Sequence, residues 1–186
     1  MALFPGAWNP PTVAHLAIAR AALIWAGEVV WTLPRAFPHK EFDRARLEDR
    51  VEMLGRIAEA EPQFSVALTD GGLYLEMAQE AREFYGPDAE IRLVCGRDAA
   101  ERIARWDYGR PGVFEDMIGR FPMLVAGRAG EYAPDPEHAE RITVLDAGPG
   151  FDEVSSSEVR RRMEGGEDWE GLVPGSIRSL VRAIYG

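Results

Sequence analysis

The chain has 186 residues, of which 46% are hydrophobic and 28% charged, and its formal net charge is −10. That length and composition suit a globular protein with one sizeable core, and no apolar run reaches the roughly 18 residues a membrane span needs. The acidic balance argues against a general nucleic-acid binder, and the lone cysteine, Cys95, excludes an intrachain disulfide or a multi-cysteine zinc site.

No linker-like stretch divides the chain, so residues 1–186 are expected to form a single domain, with a short helical segment from about residue 155. Nothing at the N-terminus resembles an export signal, and the cytoplasm is the expected location. Met1 to Phe4 reads as a strand, and Ala14 to Trp25 carries Leu16, Ala19 and Leu23 at helical spacing. "EVVWTLP" is a second strand, followed by a helix in "RLEDRVEMLGRIAEA" with Leu47, Val51, Leu54 and Ile57 on one face. "FSVAL" and "EIRLVCG" are further strands, separated by a helix near Leu73 to Tyr85. Helices follow around Ala99 to Trp106 and Val113 to Phe121, then strands in "PMLVAG" and "ITVLDA". Arg128 to Glu140 reads as a surface loop, and the chain closes with helices in "SSSEVRRRM" and "PGSIRSLVRAIY". Such alternation predicts an α/β fold, a doubly wound parallel sheet with helices on both faces. Ligands of such sheets bind beyond the carboxyl ends of the strands, near a switch in strand order.

Two helix starts carry phosphate chemistry. In "GAWNPPTVAH", Gly6 leaves backbone room after the first strand, Asn9-Pro10-Pro11 forces an extended turn, and Thr12 is an N-cap candidate. The free N–H groups of the following turn favour an anion, and His15 lies three residues after Thr12, on the same end of the helix. Taken alone, the stretch is equally well a capping threonine with a surface histidine. In "VSSSEVRRRM", Ser155, Ser156 and Ser157 precede a helix whose first turn brings Arg160 beside Ser157, a combination of hydroxyls and guanidinium that suits a polyphosphate. Arg161 and Arg162 point away from Arg160 and read as solvated charges. Cys95 reads as a buried strand-end residue.

These stretches resemble a family. "GAWNPPTVAH" is similar to the (H/T)xGH signature of the adenylyl- and cytidylyltransferases, and "SSSEVR" to their SSTxxR signature. "LPRAFPHK", "EDRVEMLGRIAEAEPQF", "GRDAAERIARW", "VAGRAG" and "LVPGSIRSLVRAIYG" extend the likeness, in order, to the nicotinate/nicotinamide mononucleotide adenylyltransferases. The resemblance implies a Rossmann-like nucleotidylyltransferase that moves AMP from ATP to a pyridine mononucleotide, releasing pyrophosphate and forming the dinucleotide of NAD biosynthesis. It implies catalytic roles for Thr12, His15, Lys40 and Arg160. ATP would be bound by Gly6, Ala7, Trp8, His15, Gly96, Asp98, Ser155, Ser156, Ser157 and Arg160, and the pyridine nucleotide by Trp106, Arg97 and Arg128. The implied metal is Mg²⁺ carried by ATP, held by phosphates and water, with no metal site built from the protein's own side chains. The implied partners are ATP and a pyridine mononucleotide, with neither a nucleic-acid polymer nor a membrane; a homo-oligomer is compatible with the sequence.

The chain departs from the pattern at four places. Thr12 stands where many members have histidine, Ala14 replaces the signature glycine, and Ser157 replaces threonine. "TDGGLYLEMA", Thr69 to Ala78, replaces a Ser/Thr-Tyr-Thr pattern that shapes the pyridine pocket. An inward Arg97 would pair with a nicotinate carboxylate, which favours nicotinate over nicotinamide. Two alternatives stand: a related transferase for a phosphopantetheine or sugar or polyol phosphate acceptor, and a nucleotide-binding module without turnover.

Overall fold

A computed structural model describes residues 1–36, 44–127 and 132–186. Six strands form one sheet: β1 (Ala2–Pro5), β2 (Val29–Pro34), β3 (Phe64–Thr69), β4 (Arg92–Gly96), β5 (Met123–Ala126) and β6 (Ile142–Leu145). All neighbours are parallel, in the order β3-β2-β1-β4-β5-β6. The helices are α1 (Val13–Ala22), α2 (Leu47–Glu59), α3 (Tyr74–Tyr85), α4 (Arg97–Ala104), α5 (Val113–Arg120), α6 (Ser156–Glu164) and α7 (Arg178–Tyr185), with 3₁₀ turns at Glu170–Leu172 and Gly175–Ile177.

The strands are apolar along their length because both faces are covered. On one side Phe4, Val29, Trp31 and Leu33 pack with α1, α2, α6 and α7 through Ile18, Leu54, Ile57, Val159 and Val181. On the other, Leu3, Val30, Leu93 and Val125 pack with α3, α4 and α5 through Ala78, Ile103, Met117 and Ile118. The expected doubly wound sheet is therefore present.

Two helix faces differ in detail from their periodicity. α1 stops at Ala22, leaving Ile24 and Trp25 exposed, and buries chiefly Ala14, Ile18, Ala19, Ala21 and Ala22. Small side chains let this helix lie close to the sheet, while Leu16 and Leu23 pack at its margin. α2 buries Arg50 and Met53 beside Leu54 and Ile57, with Leu47 and Val51 only partly covered. The arginine on that apolar face is functional in placement, as described below.

Strand order reverses between β1, which leads outward to β2 and β3, and β4, which leads to β5 and β6. The register Ala2↔Arg92 and Leu3↔Leu93 sets the end of β1, followed by Gly6, beside the end of β4 at Gly96. A crevice at this switch point is where an open parallel sheet accepts its ligand.

Candidate active site

The segment from Gly6 to Thr12 leaves β1 and enters α1 across this crevice. Gly6 N–H donates to Thr32 O at 3.1 Å. A Cβ at Gly6 would meet the Trp8 ring atoms Cε2 and Cζ2 at 2.6 Å, so glycine is required because the Trp8 indole lies against it. The backbone room that the sequence suggested after the first strand is, on the side a Cβ would take, filled by this aromatic ring. Trp8 is itself buried, with φ of 52°, a left-handed conformation that costs a non-glycine residue roughly 1–3 kcal/mol. Its ring holds it there: Nε1 donates to Thr32 O at 3.0 Å, and the indole packs edge-on against Phe4 and Trp31 at centroid distances of 4.8 and 4.7 Å. The indole of Trp8 is thus core, and only its backbone remains for a nucleotide.

Thr12 is buried and is the N-cap of α1. Its backbone N–H donates to His15 Nδ1 at 3.0 Å, its Oγ1 lies 2.8 Å from the same nitrogen, and Oγ1 accepts from His15 N–H at 3.4 Å. This reciprocal cap assigns a tautomer. Because Nδ1 accepts the backbone proton of Thr12, the imidazole proton of the neutral ring belongs on Nε2, which therefore presents an N–H donor. The Trp8 indole stands edge-on to the imidazole at 5.2 Å and fixes its tilt. Val13 and Ala14, the first helical residues, carry N–H groups with no acceptor within the helix. Ala14 is 2% exposed, so the methyl that replaces the signature glycine points into the protein.

α6 meets this loop from the other end of the chain. Ser155 is its N-cap, accepting from Glu158 N–H at 3.0 Å, so the capping reading describes this first serine. Ser156 Oγ donates to Pro10 O at 2.7 Å. Arg160 donates through Nη1 to Asn9 O and through Nη2 to Ser157 Oγ at 3.4 Å. The two signature stretches are therefore in direct hydrogen-bond contact although 146 residues separate Ser156 from Pro10. Arg161 and Arg162 are held by Glu158, and Arg161 also by Glu167, away from the loop, as their helical positions implied.

Two supporting residues escaped the sequence reading. Arg50, 4% exposed, donates from Nη1 to Ala7 O at 3.2 Å and from Nε to Arg46 O at 3.3 Å. Burial lowers its pKa from the usual arginine value, opposed by Tyr185, Asp49 and Glu48. Tyr185 donates its hydroxyl to Asn9 Oδ1. The available signal was an arginine on the apolar stripe of α2, and Asn9 in the turn itself.

On the β4 side, Gly96 is the N-cap of α4, and Asp98 on its first turn is 91% exposed and open to a ligand. Arg97 pairs with Asp98 at 3.6 Å and Glu101 at 4.0 Å, and lines a cavity of about 320 Å³ with Phe114, Tyr132 and His138. Trp106, one turn beyond α4, is 39% exposed, more than a core tryptophan would be. Tyr74 donates to Pro5 O at 3.3 Å, while Glu76 and Glu80 accept the backbone N–H groups of Asp70, Gly71, Gly72 and Leu73. The atypical Thr69–Ala78 segment is therefore capped by its own Glu76 and by Glu80, one turn further along α3. Cys95 is buried, and burial pushes its thiol up to about 12, which fits a packed residue and not a nucleophile. Lys40 and Arg128, and with them His39, lie outside the described residues. Among the described residues, no three His, Cys, Asp or Glu side chains stand close enough to hold a metal ion, and no helix is long and apolar enough to cross a membrane.

The cytidylyltransferase-like family model matches residues 3–162. A probable nicotinate-nucleotide adenylyltransferase of Salinibacter ruber is 32% identical over 188 residues, covering 96% of this chain and 93% of the relative. One from Treponema pallidum is 30% identical over 207 residues, covering 100% and 98%. Among solved structures, the fold is similar to Plasmodium falciparum nicotinic acid mononucleotide adenylyltransferase complexed with NaAD, with a TM-score of 0.77 at 15% identity over 98% of this chain and 94% of that one. The same protein complexed with APC matches with a TM-score of 0.72 at 16% identity and the same coverage.

Proposed function

The chain belongs to the cytidylyltransferase-like family, among the nicotinate-nucleotide adenylyltransferases, and from that membership we propose how its own residues transfer AMP from ATP to nicotinate mononucleotide, yielding the dinucleotide and pyrophosphate. The observation that carries the reading is the contact between the Asn9-Pro10 loop and the Ser156/Arg160 end of α6, because it joins two anion-seeking helix starts at the switch point of the sheet. The reading takes residues 1–186 as one nucleotidylyltransferase domain acting in the cytoplasm.

The acceptor phosphate is already an anionic nucleophile. Its oxygen attacks the α-phosphorus of ATP, the bond from that phosphorus to the bridging oxygen of the β-phosphate breaks, and pyrophosphate leaves with the electron pair. No protein base and no covalent intermediate are needed, so the protein's work is alignment and charge stabilisation. His15 Nε2–H and the N–H groups at the start of α1 donate to the α-phosphate as its charge grows. Thr12 keeps the imidazole in that tautomer. Ser157 and Arg160 turn to the β- and γ-phosphates, with Ser156 beside them and Ser155 holding the helix start. Lys40 adds a further cation. Gly96 and Asp98 receive the adenosine, Asp98 at the ribose hydroxyls, and Gly6, Ala7 and Trp8 contribute backbone. Trp106 offers its exposed face to the pyridine ring, and Arg128 serves the same nucleotide.

The donor set suits Mg²⁺ that arrives with ATP: exposed phosphate donors and cations, without an acidic cage among the described residues. Carried by the triphosphate beside Ser157 and Arg160, Mg²⁺ would supply neutralising charge for the leaving pyrophosphate. For the pyridine, the names of the relatives favour nicotinate; Arg97 is engaged with Asp98 and Glu101 and would have to exchange one of them for a substrate carboxylate.

Pyrophosphate release should be measured from ATP and, separately, from CTP, with nicotinate mononucleotide, nicotinamide mononucleotide, phosphopantetheine and sugar phosphates as acceptors. ATP with nicotinate mononucleotide should be the fastest pair. Absence of release with either pyridine mononucleotide would overturn the substrate assignment.

A further inference from the structure

The loop from Ala7 to Pro10 is tied down by side chains from three helices. Arg50 of α2 donates to Ala7 O, Arg160 of α6 to Asn9 O, Ser156 of α6 to Pro10 O, and Tyr185 of α7 to the Asn9 carboxamide oxygen. Two of these four ties, from Ser156 and Arg160, belong to the groups assigned above to the triphosphate. When they turn to substrate, the helix ties that remain among the described residues are those from α2 and α7, beside the bond of the Trp8 indole to Thr32 O. Resting on that assignment, we propose that Tyr185 is a positioning residue for ATP, a ligand-independent anchor that holds Asn9 in place while Arg160 leaves it for the nucleotide.

The surroundings of Tyr185 fit an anchor. The residue is 3% exposed, and its side chain belongs to the same apolar cluster as Trp8, Leu54 and Val181. Its backbone carbonyl accepts from Arg44 Nη1 at 3.0 Å, so both ends of the residue are held. Burial raises its phenol pKa, against the pull of Arg160 and Arg50, so the group is a neutral O–H donor across the physiological range. A donor on a rigid, packed ring loses little freedom when it bonds, unlike the long side chain of Arg160. α7 in turn packs on α2, which carries Arg50, so the two remaining ties share one support.

Tyr185→Phe keeps the ring and removes the hydroxyl. The loss of one hydrogen bond should speed amide exchange at Ala7, Trp8, Asn9 and Thr12 about fivefold and raise KM for ATP by a similar factor, leaving KM for nicotinate mononucleotide nearly unchanged and lowering the melting temperature by about 2–4 °C. Asn9→Ala should do the same, and the double variant should be no worse than either single one, because both delete the same contact. Parental exchange rates in Tyr185→Phe, an unchanged KM for ATP, or effects that multiply in the double variant would each overturn the proposal. If the parent protein neither binds nor turns over ATP, the adenylyltransferase reading fails, and the exchange rates still decide whether Tyr185 anchors the loop.

Discussion

His15 shows how much of an active site can be set by one backbone bond. The Thr12 N–H that reaches Nδ1 at 3.0 Å decides which imidazole nitrogen carries the proton, and so leaves Nε2 of the neutral ring as the donor. Removing one such donor from a site where charge develops costs roughly 10²–10³ in turnover. His15→Ala should therefore lower kcat by that factor, with a smaller change in KM for ATP, in a steady-state assay of dinucleotide formation. Neighbouring residues act through packing. Gly6 is glycine because of the Trp8 ring at 2.6 Å, and Ala14 carries its methyl inward, so packing decides the side chain at both positions and leaves them their backbone groups.

α6 divides its charges between two tasks. Ser155 caps it, Ser156 and Arg160 reach the loop, and Glu158 gathers Arg161 and Arg162 on the far side. Hydrogen bonds from Arg161 and then Arg162 hold the Glu158 carboxyl down to about 2, from an ordinary 4.5. A depressed carboxylate stabilises the fold above its unfolded value and loses that contribution as pH falls from about 4.5 toward 2. The pairs are solvent-exposed, so the effect is small. Glu158→Gln should lower the melting temperature by about 1–3 °C at pH 7, and the gap to the parent should close below pH 4.5. A gap that widened toward low pH would contradict the arrangement. α1 divides differently: its start is a buried Thr12 cap with the half-buried His15 beside it, and its body is alanine-rich, which lets it pack closely on the sheet.

At the scale of the whole molecule, function depends on elements far apart in the chain meeting at one end of the sheet. A ligand that bridges them binds only the folded protein, so ATP at about 100 times its Kd should add about 2.7 kcal/mol of stability. A thermal shift should follow with ATP and shrink in Arg160→Ala, which loses both a phosphate contact and the tie to Asn9. The arrangement of strands and helices was legible from periodicity, because buried parallel strands are apolar throughout and helices show their stripe. The two signature stretches were legible because caps, prolines and serine runs are local chemistry. The packing of the Trp8 ring against Gly6 was not legible, because the atom that excludes a Cβ belongs to a ring two residues away, whose direction depends on a left-handed backbone. Arg50 and Tyr185 were overlooked because hydrogen bonds to a distant loop leave no periodic trace; Tyr185 meets Asn9 across 176 positions. Sequence by itself therefore determined the class of fold, the caps of both helix starts and the family, all of which rest on short-range patterns. Only the tertiary structure decided the tautomer of His15, the inward turn of Ala14 and the anchoring of the loop by α2 and α7, because each is a contact between groups brought together by the closing of the sheet and its helices.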